Sequence, residues 1–232
     1  MYQYQADVDD KTFEIYRFPY ELVDSNMYFI PYRNTGIVID PNENDELLAL
    51  FKKHGTENIV IVLTHEHYDH TIGVEWLQTK IDSKLFCHKA CAEAIATEKG
   101  NDPRTLAIIL TLRDAVDGGN RRDEFMATAK TYILHADETF DDEYELVVGD
   151  IKLKCHHAPG HSPGSAINIW GDKYVFTGDS LIQDTPTILR LPGSDRVAFK
   201  QITRPFLMSL DKDMIVFPGH GEHFYIIVAK YL

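Results

Sequence analysis

The sequence predicts an α/β fold. Three observations carry it: short runs rich in β-branched and aromatic residues recur along the chain, helical stretches alternate with them, and one region, Thr97 to His135, reads as helices alone. At 232 residues, 44% hydrophobic and 25% charged, the chain is long enough for one sizeable core, so a single domain over 1–232 is expected.

The elements follow in order. "TFEIYRF", "NMYFIPY" and "GIVID" read as strands separated by turn-forming pairs, and Glu43 to Lys53 as a helix with Leu47, Leu48, Leu50 and Phe51 on its apolar side. "NIVIVL" has the unbroken apolar run of a buried strand, and "SKLFCH" followed by "KACAEAIATEK" repeats the strand-to-helix step. In the helical region, "PRTLAIILTLRDAV" starts at Pro103 and stops before "DGGN", and "RRDEFMATAKTYIL" resumes the helical period. Leu106, Ile108, Ile109, Leu110 and Leu112 make the first of these helices apolar around most of its circumference, consistent with a lid over a site, a dimer contact or extra core. Strands return as "YELVVG", "IKLKCHH", "SAINIW" and "KYVFTG", with Gly149-Asp150 and Gly171-Asp172 as hairpin turns. A helix from about Asp195 to Leu210 and a last strand, "MIVFPG", precede a short tail, and the acidic run "HADETFDDEYE" reads as a solvated loop.

Charge and cysteine content narrow the partners. Thirty-six acidic against 23 basic residues give a net charge of −13, which argues against nucleic acid and against an anionic membrane surface. Cys87, Cys91 and Cys155 are odd in number and form no CxxC pair, and the sequence shows no signal-type segment or membrane-length apolar run. A reduced, cytoplasmic protein acting on a small molecule is the expectation.

The chemistry concentrates in "LTHEHYDHTIG", where three histidines and an aspartate fall within six positions. Crowded imidazoles gain a folded chain little, because burial and mutual repulsion both disfavour them. His65 and His67 stand at i and i+2 past a strand, so an extended backbone points both the same way; Asp69 and His70 follow where a helix begins. His161 in "APGHSPGS", Asp179 in "FTGDSL" and His220 in "VFPGHGE" each follow a strand inside a Gly- or Pro-rich loop. Seven such groups exceed one tetrahedral ion and suit two, with a carboxylate as the bridge. His156 and His157 alternate across a strand and are read as non-ligands; His54, His88, His135 and His223 are read as helix-end, surface or hydrogen-bonded residues.

HxHxDH with these later residues resembles the metallo-β-lactamase fold superfamily, and within it the hydroxyacylglutathione hydrolase (glyoxalase II) type. The resemblance covers nearly the whole chain, including "IVID" before the first helix and "LPGSD" after Asp179. It implies a four-layer αββα sandwich with the site at the edge where the loops of the two sheets meet. His65, His67 and His161 would hold a first metal, Asp69, His70 and His220 a second, and Asp179 would bridge them, which makes Asp69 and Asp179 the candidate catalytic carboxylates. Two divalent ions are expected, zinc first, with iron or manganese as alternatives. Their shared hydroxide would cleave a small thioester, ester or lactone. Two other readings remain: a persulfide dioxygenase with one iron on His65, His161 and Asp179, and a phosphodiesterase or nuclease of the same fold, which the net charge disfavours.

The sequence departs from the glyoxalase II pattern in two places. The helical domain that contacts glutathione there has no counterpart after His220, and "DTPTILRLPGSD" stands where related thioester and persulfide enzymes tend to read "RTDLPGGD". An apolar acyl group is therefore expected rather than lactoylglutathione, with Tyr68 lining the pocket and Arg190 and Arg196 meeting any anionic end of the substrate.

Overall fold

Strand residues that alternate between two apolar faces assemble two mixed sheets; the computed structural model of the protein describes residues 1–232. The first sheet has the order β1 (Tyr2–Val8), β2 (Lys11–Tyr20), β3 (Ser25–Tyr32), β4 (Thr35–Ile39), β5 (Asn58–Val62), β6 (Asp82–His88) and β7 (Glu138–Phe140). β1 to β4 pair antiparallel, whereas β4 to β7 are parallel and need crossovers, which the helices supply. The second sheet has the order β13 (Phe224–Tyr225), β12 (Ile215–Pro218), β11 (Tyr174–Gly178), β10 (Ala166–Trp170), β9 (Ile151–His157) and β8 (Glu143–Val148), antiparallel except between β11 and β12. Both hairpin turns form as expected, with Gly149 and Gly171 at φ of 61° and 59°.

Alternation decides the layers. Phe13, Ile15, Tyr28, Ile30, Ile37 and Ile39 of the first sheet pack against Leu153, Cys155, Trp170, Phe176 and Phe217 of the second, forming the central core. The opposite face of the first sheet, with Tyr16, Phe18, Phe29, Val38 and Ile61, is covered by α1 (Asp45–His54), α3 (Val74–Gln78) and α4 (Lys89–Ile95). The outer face of the second sheet carries Ile167, Val175 and Val216 beneath Leu207 and Ile226. Helices thus flank two face-to-face sheets, as the α/β expectation requires.

Four expectations are corrected and one unassigned stretch is filled in. "MYQYQADV", unassigned from sequence, is the edge strand β1, and the acidic run contains β7, where Phe140 is buried and stacks on Phe86 with ring centroids 5.4 Å apart. The helix resuming at Arg121 stops at Thr128, as α6 (Arg121–Thr128), because the following chain is used for other bonds: the Lys130 carbonyl accepts from the Tyr68 hydroxyl and Leu134 N–H donates to Ile95. The expected Asp195–Leu210 helix is two pieces, α7 (Arg196–Ala198) and α8 (Arg204–Ser209), around a π-helical turn at Phe199–Thr203. Pro205 there lacks the N–H that an uninterrupted α-helix would use. Finally, α5 (Arg104–Asp117) buries only one side: Leu106, Ala107 and Leu110 pack on Val23, Tyr68 and Phe125, while Ile108 and Leu112 are 60% and 65% exposed.

Candidate metal centre

Five strand ends bring the candidate residues to one edge of the sandwich. β4 ends at Asp40; β5 delivers His65 and His67, with α2 (Tyr68–Thr71) carrying Asp69 and His70; His161, Asp179 and His220 follow β9, β11 and β12. His67 is still extended, at φ −68° and ψ 148°, before the chain turns into α2, so the two halves of the motif aim at neighbouring points. Gly219 permits the closest approach: a Cβ there would overlap Asp179 Oδ1 and crowd His70 Cε1.

All seven residues named from sequence converge. His67 Nδ1 lies 3.1 Å from His65 Nε2 and 2.9 Å from His161 Nε2, forming one group of three donors. Asp69, His70 and His220 form a second, with Asp69 Oδ2 at 3.5 Å from His70 Nε2 and 3.3 Å from His220 Nε2. Asp179 stands between them: Oδ1 lies 3.4 Å from His70 Nε2, and Oδ2 lies 3.4 Å from both His161 Nε2 and His220 Nε2. A candidate bridge is therefore visible as a contact to both groups.

The outer nitrogens are fixed by acceptors. The Nδ1–H of His70 donates to Asp40 Oδ2 at 2.9 Å, that of His161 to the Ile188 carbonyl at 3.0 Å, and that of His220 to the Val23 carbonyl at 3.0 Å. His65 Nδ1 lies 3.1 Å from Thr64 Oγ1, whose own hydroxyl donates to Asp40 Oδ2 at 2.6 Å. This leaves Nε2 of these four rings facing the centre, the arrangement metal-binding histidines use. His67 is the exception and presents Nδ1.

Burial and charge set opposite protonation in the two groups. Burial lowers all five imidazoles, and it prevails at His65, at His67 and at His161, which falls to about 4. At His70 and His220 the carboxylates of Asp69 and Asp179 outweigh burial, so His70 is held well above the usual histidine range and His220 at about 10. Burial likewise works to raise the two aspartates, but His70 and His220 hold Asp69 at about 2 and Asp179 well below the ordinary carboxylate value.

The donor set fits divalent cations. His70 Nε2 and Asp179 Oδ1 are buried without any hydrogen-bond partner, a costly arrangement that a cation between them would relieve. Imidazoles and carboxylates, three plus three with Asp179 in contact with both groups, are the ligands of zinc, iron or manganese rather than of magnesium or calcium alone. Cys87, Cys91 and Cys155 are buried, and no group of candidate metal ligands includes any of them. His156 and His157 stand outside the groups: His156 Nδ1 lies 3.1 Å from Glu143 Oε1, and His157 stacks on His88 at 3.7 Å between ring centroids.

Above the cluster is a cavity of about 160 Å3. Thr105, Leu106, Ile109 and Arg113 of α5 form one wall, and Ile182, Thr185, Ile188 and Leu191, from the loop after Asp179, form another. Tyr68 lines it too, while also packing on Phe125 and Tyr132. Arg190 and Arg196 do not line it, and Arg196 Nε donates to the Leu189 carbonyl at 3.3 Å. The arginine on the cavity wall is Arg113 instead.

The Metallo-beta-lactamase superfamily profile matches residues 20–220. The chain belongs to that superfamily. Among relatives of this metallo-β-lactamase-fold protein is the probable metallo-hydrolase YqgX of Bacillus subtilis, 27% identical over 208 residues and covering 88% of this chain and 89% of the relative. The hydroxyacylglutathione hydrolase GloC of Haemophilus influenzae is 24% identical over 195 residues, 82% of each chain. A crystal structure of TTHA1623 in a di-iron-bound form superposes with a TM-score of 0.66 at 25% identity, covering 92% of this chain and 96% of that one. No helix in this chain is long and apolar enough to cross a membrane.

Two groups escaped the sequence reading. Asp40 closes the apolar run "GIVID" in a left-handed backbone, φ 50°, that a non-glycine residue rarely adopts; a carboxylate ending a buried strand was the available signal. Arg113 breaks the apolar stripe Leu106, Ile109, Leu110 at the next turn of the same face, which only the helix register makes visible.

Proposed function

We propose that the protein is a dinuclear metal-dependent hydrolase of small thioesters or esters. The observation that carries this reading is the contact of Asp179 with both histidine groups, Oδ1 towards His70 and Oδ2 towards His161 and His220. His65, His67 and His161 would hold one ion, and Asp69, His70 and His220 the other. When bound, two divalent ions lower the pKa of a water towards neutrality and polarise the substrate carbonyl.

The protein's own residues supply the rest. Asp40 fixes His70 directly and His65 through Thr64, so one carboxylate orients a ring in each group. The carbonyls of Ile188 and Val23 orient His161 and His220, tying the cluster to two residues of the cavity lining. Ile109 on one wall and Ile182, Ile188 and Leu191 on the other exclude water from the reacting carbonyl and offer apolar surface to an acyl group.

The likeness to GloC supports a thioester, because that relative is a hydroxyacylglutathione hydrolase matched over 82% of its own length. The second histidine group argues for a hydrolase over a single-iron dioxygenase, which would have no use for it. Metal content measured together with turnover of a panel of thioesters, lactones and phosphodiesters tests the reading. Near two metals per chain with thioester or ester hydrolysis supports it; one iron per chain with oxygen uptake refutes it.

A further inference from the structure

Both walls of the cavity carry apolar residues, Leu106 and Ile109 on one and Ile182, Ile188 and Leu191 on the other, and besides its histidines the cavity has one cationic side chain, Arg113 of α5. Its Nη1 donates to the Leu22 carbonyl at 3.2 Å and its Nη2 to the Val23 carbonyl at 2.8 Å. Those bonds use two of five N–H donors and supply no counter-charge. The other arginines of the helical region are neutralised: Arg104 pairs with Asp102, Arg121 with Asp114 and Asp117, and Arg122 with Asp123. Arg113 is solvent-exposed at the cavity wall and has no carboxylate partner, in a chain of net charge −13.

Its position relative to the cluster is narrow. The Val23 carbonyl that accepts from Arg113 also accepts from His220 Nδ1, so a single oxygen separates the guanidinium from a candidate metal-binding ring. The two aspartates of the cavity, Asp69 and Asp179, face His70 and His220 and are not free to neutralise it. A guanidinium with spare donors, set on an apolar wall, matches the planar two-oxygen geometry of a carboxylate.

We propose that Arg113 is the residue that selects the substrate, by binding a carboxylate carried on a small ester or thioester a few bonds from the scissile carbonyl. The inference rests on the hydrolase reading for its reaction, but its binding step does not depend on turnover. The apolar walls take the short carbon chain between the two ends, and a cavity of about 160 Å3 keeps that chain short. A bulky or neutral acyl group lacks the contact that Arg113 offers.

The test is equilibrium binding to the metal-loaded protein, by calorimetry, of malonate, succinate, glutarate and adipate, each against the monocarboxylate of equal carbon number. Either kind can place one carboxylate at the metals, and only the first has a second for Arg113. We expect at least one dicarboxylate to bind roughly tenfold or more tighter than its partner. Arg113→Gln removes that preference while monocarboxylate binding and metal content stay as in the parent, and Arg113→Lys restores part of it. A parent protein without any preference overturns the proposal, as does a preference that survives Arg113→Gln. A preference that depends on Arg113 in a protein hydrolysing no ester or thioester supports the anion site and refutes the hydrolase reading instead.

Discussion

The Asp40 carboxylate accepts from His70 Nδ1 at 2.9 Å, from Thr64 N–H at 2.7 Å and from the Thr64 hydroxyl at 2.6 Å, so a residue at the end of β4 holds a ring that α2 delivers. Asp40→Asn replaces one acceptor oxygen by an amide that faces donors. It is expected to weaken metal affinity roughly 10- to 100-fold and to lower stability by about 1–3 kcal/mol. Metal titration and denaturant unfolding measure the two effects; an unchanged affinity would remove Asp40 from the site.

Asp179→Ala is expected to abolish hydrolysis and to lower occupancy of the Asp69–His70–His220 group, since both of its oxygens face histidines of the cluster. Metal analysis of the purified variant, with its rate, is the check. Full metal content at a near-normal rate would sink the two-metal assignment.

His161→Gln is expected to lose metal and activity, because His161 Nε2 stands 2.9 Å from His67 Nδ1 inside the cluster. His156→Gln and His157→Gln should each keep most activity, as their rings contact Glu143 and His88. Loss of metal from either of the latter two would mean that the wrong imidazole has been assigned.

Helix α5 should tolerate change on one face only. Leu110 is fully buried, so Leu110→Ala is expected to cost about 2–5 kcal/mol, whereas Leu112→Ala, at a position 65% exposed, should stay within about 0.5 kcal/mol. Thermal or denaturant unfolding of both variants decides it, and equal losses would contradict the packing described.

Acyl length should matter, then stop mattering. Each methylene buried against Ile109, Ile182 and Ile188 is worth about 0.8 kcal/mol, so kcat/KM should climb over the first few carbons and fall once the cavity of about 160 Å3 is full. A flat series, with lactoylglutathione the best substrate, would refute the apolar-cavity idea.

How much of this was legible in the sequence depends on the range over which each interaction acts. The strands with alternating or unbroken apolar runs, the hairpins at Gly149 and Gly171, and the helix beginning at Pro103 follow from local backbone preference and periodicity. So does the convergence of His65 and His67, since a period of two puts both on one side of extended chain. Their partners in the other sheet were recognised by loop type and resemblance, because nothing local relates His161 to His67 across 94 residues.

Tertiary structure decided the rest. Ala129 to Leu134 keep a helical pattern in sequence yet leave the helix, because the Lys130 carbonyl accepts from the Tyr68 hydroxyl and the Leu134 N–H donates to Ile95 in place of the bonds a helix would make. The apolar stripe of α5 could not say which neighbour it meets; packing on Val23 and Tyr68 set its solvent-exposed Arg113 at the cavity wall, where neither Arg190 nor Arg196 stands. Asp40 acquires its place at the site only when β4 and β5 pair side by side, bringing Thr64 and His70 within hydrogen-bond reach. Periodicity specifies which face of an element is apolar, but the partner of that face is set by long-range burial, which no stretch of sequence contains by itself.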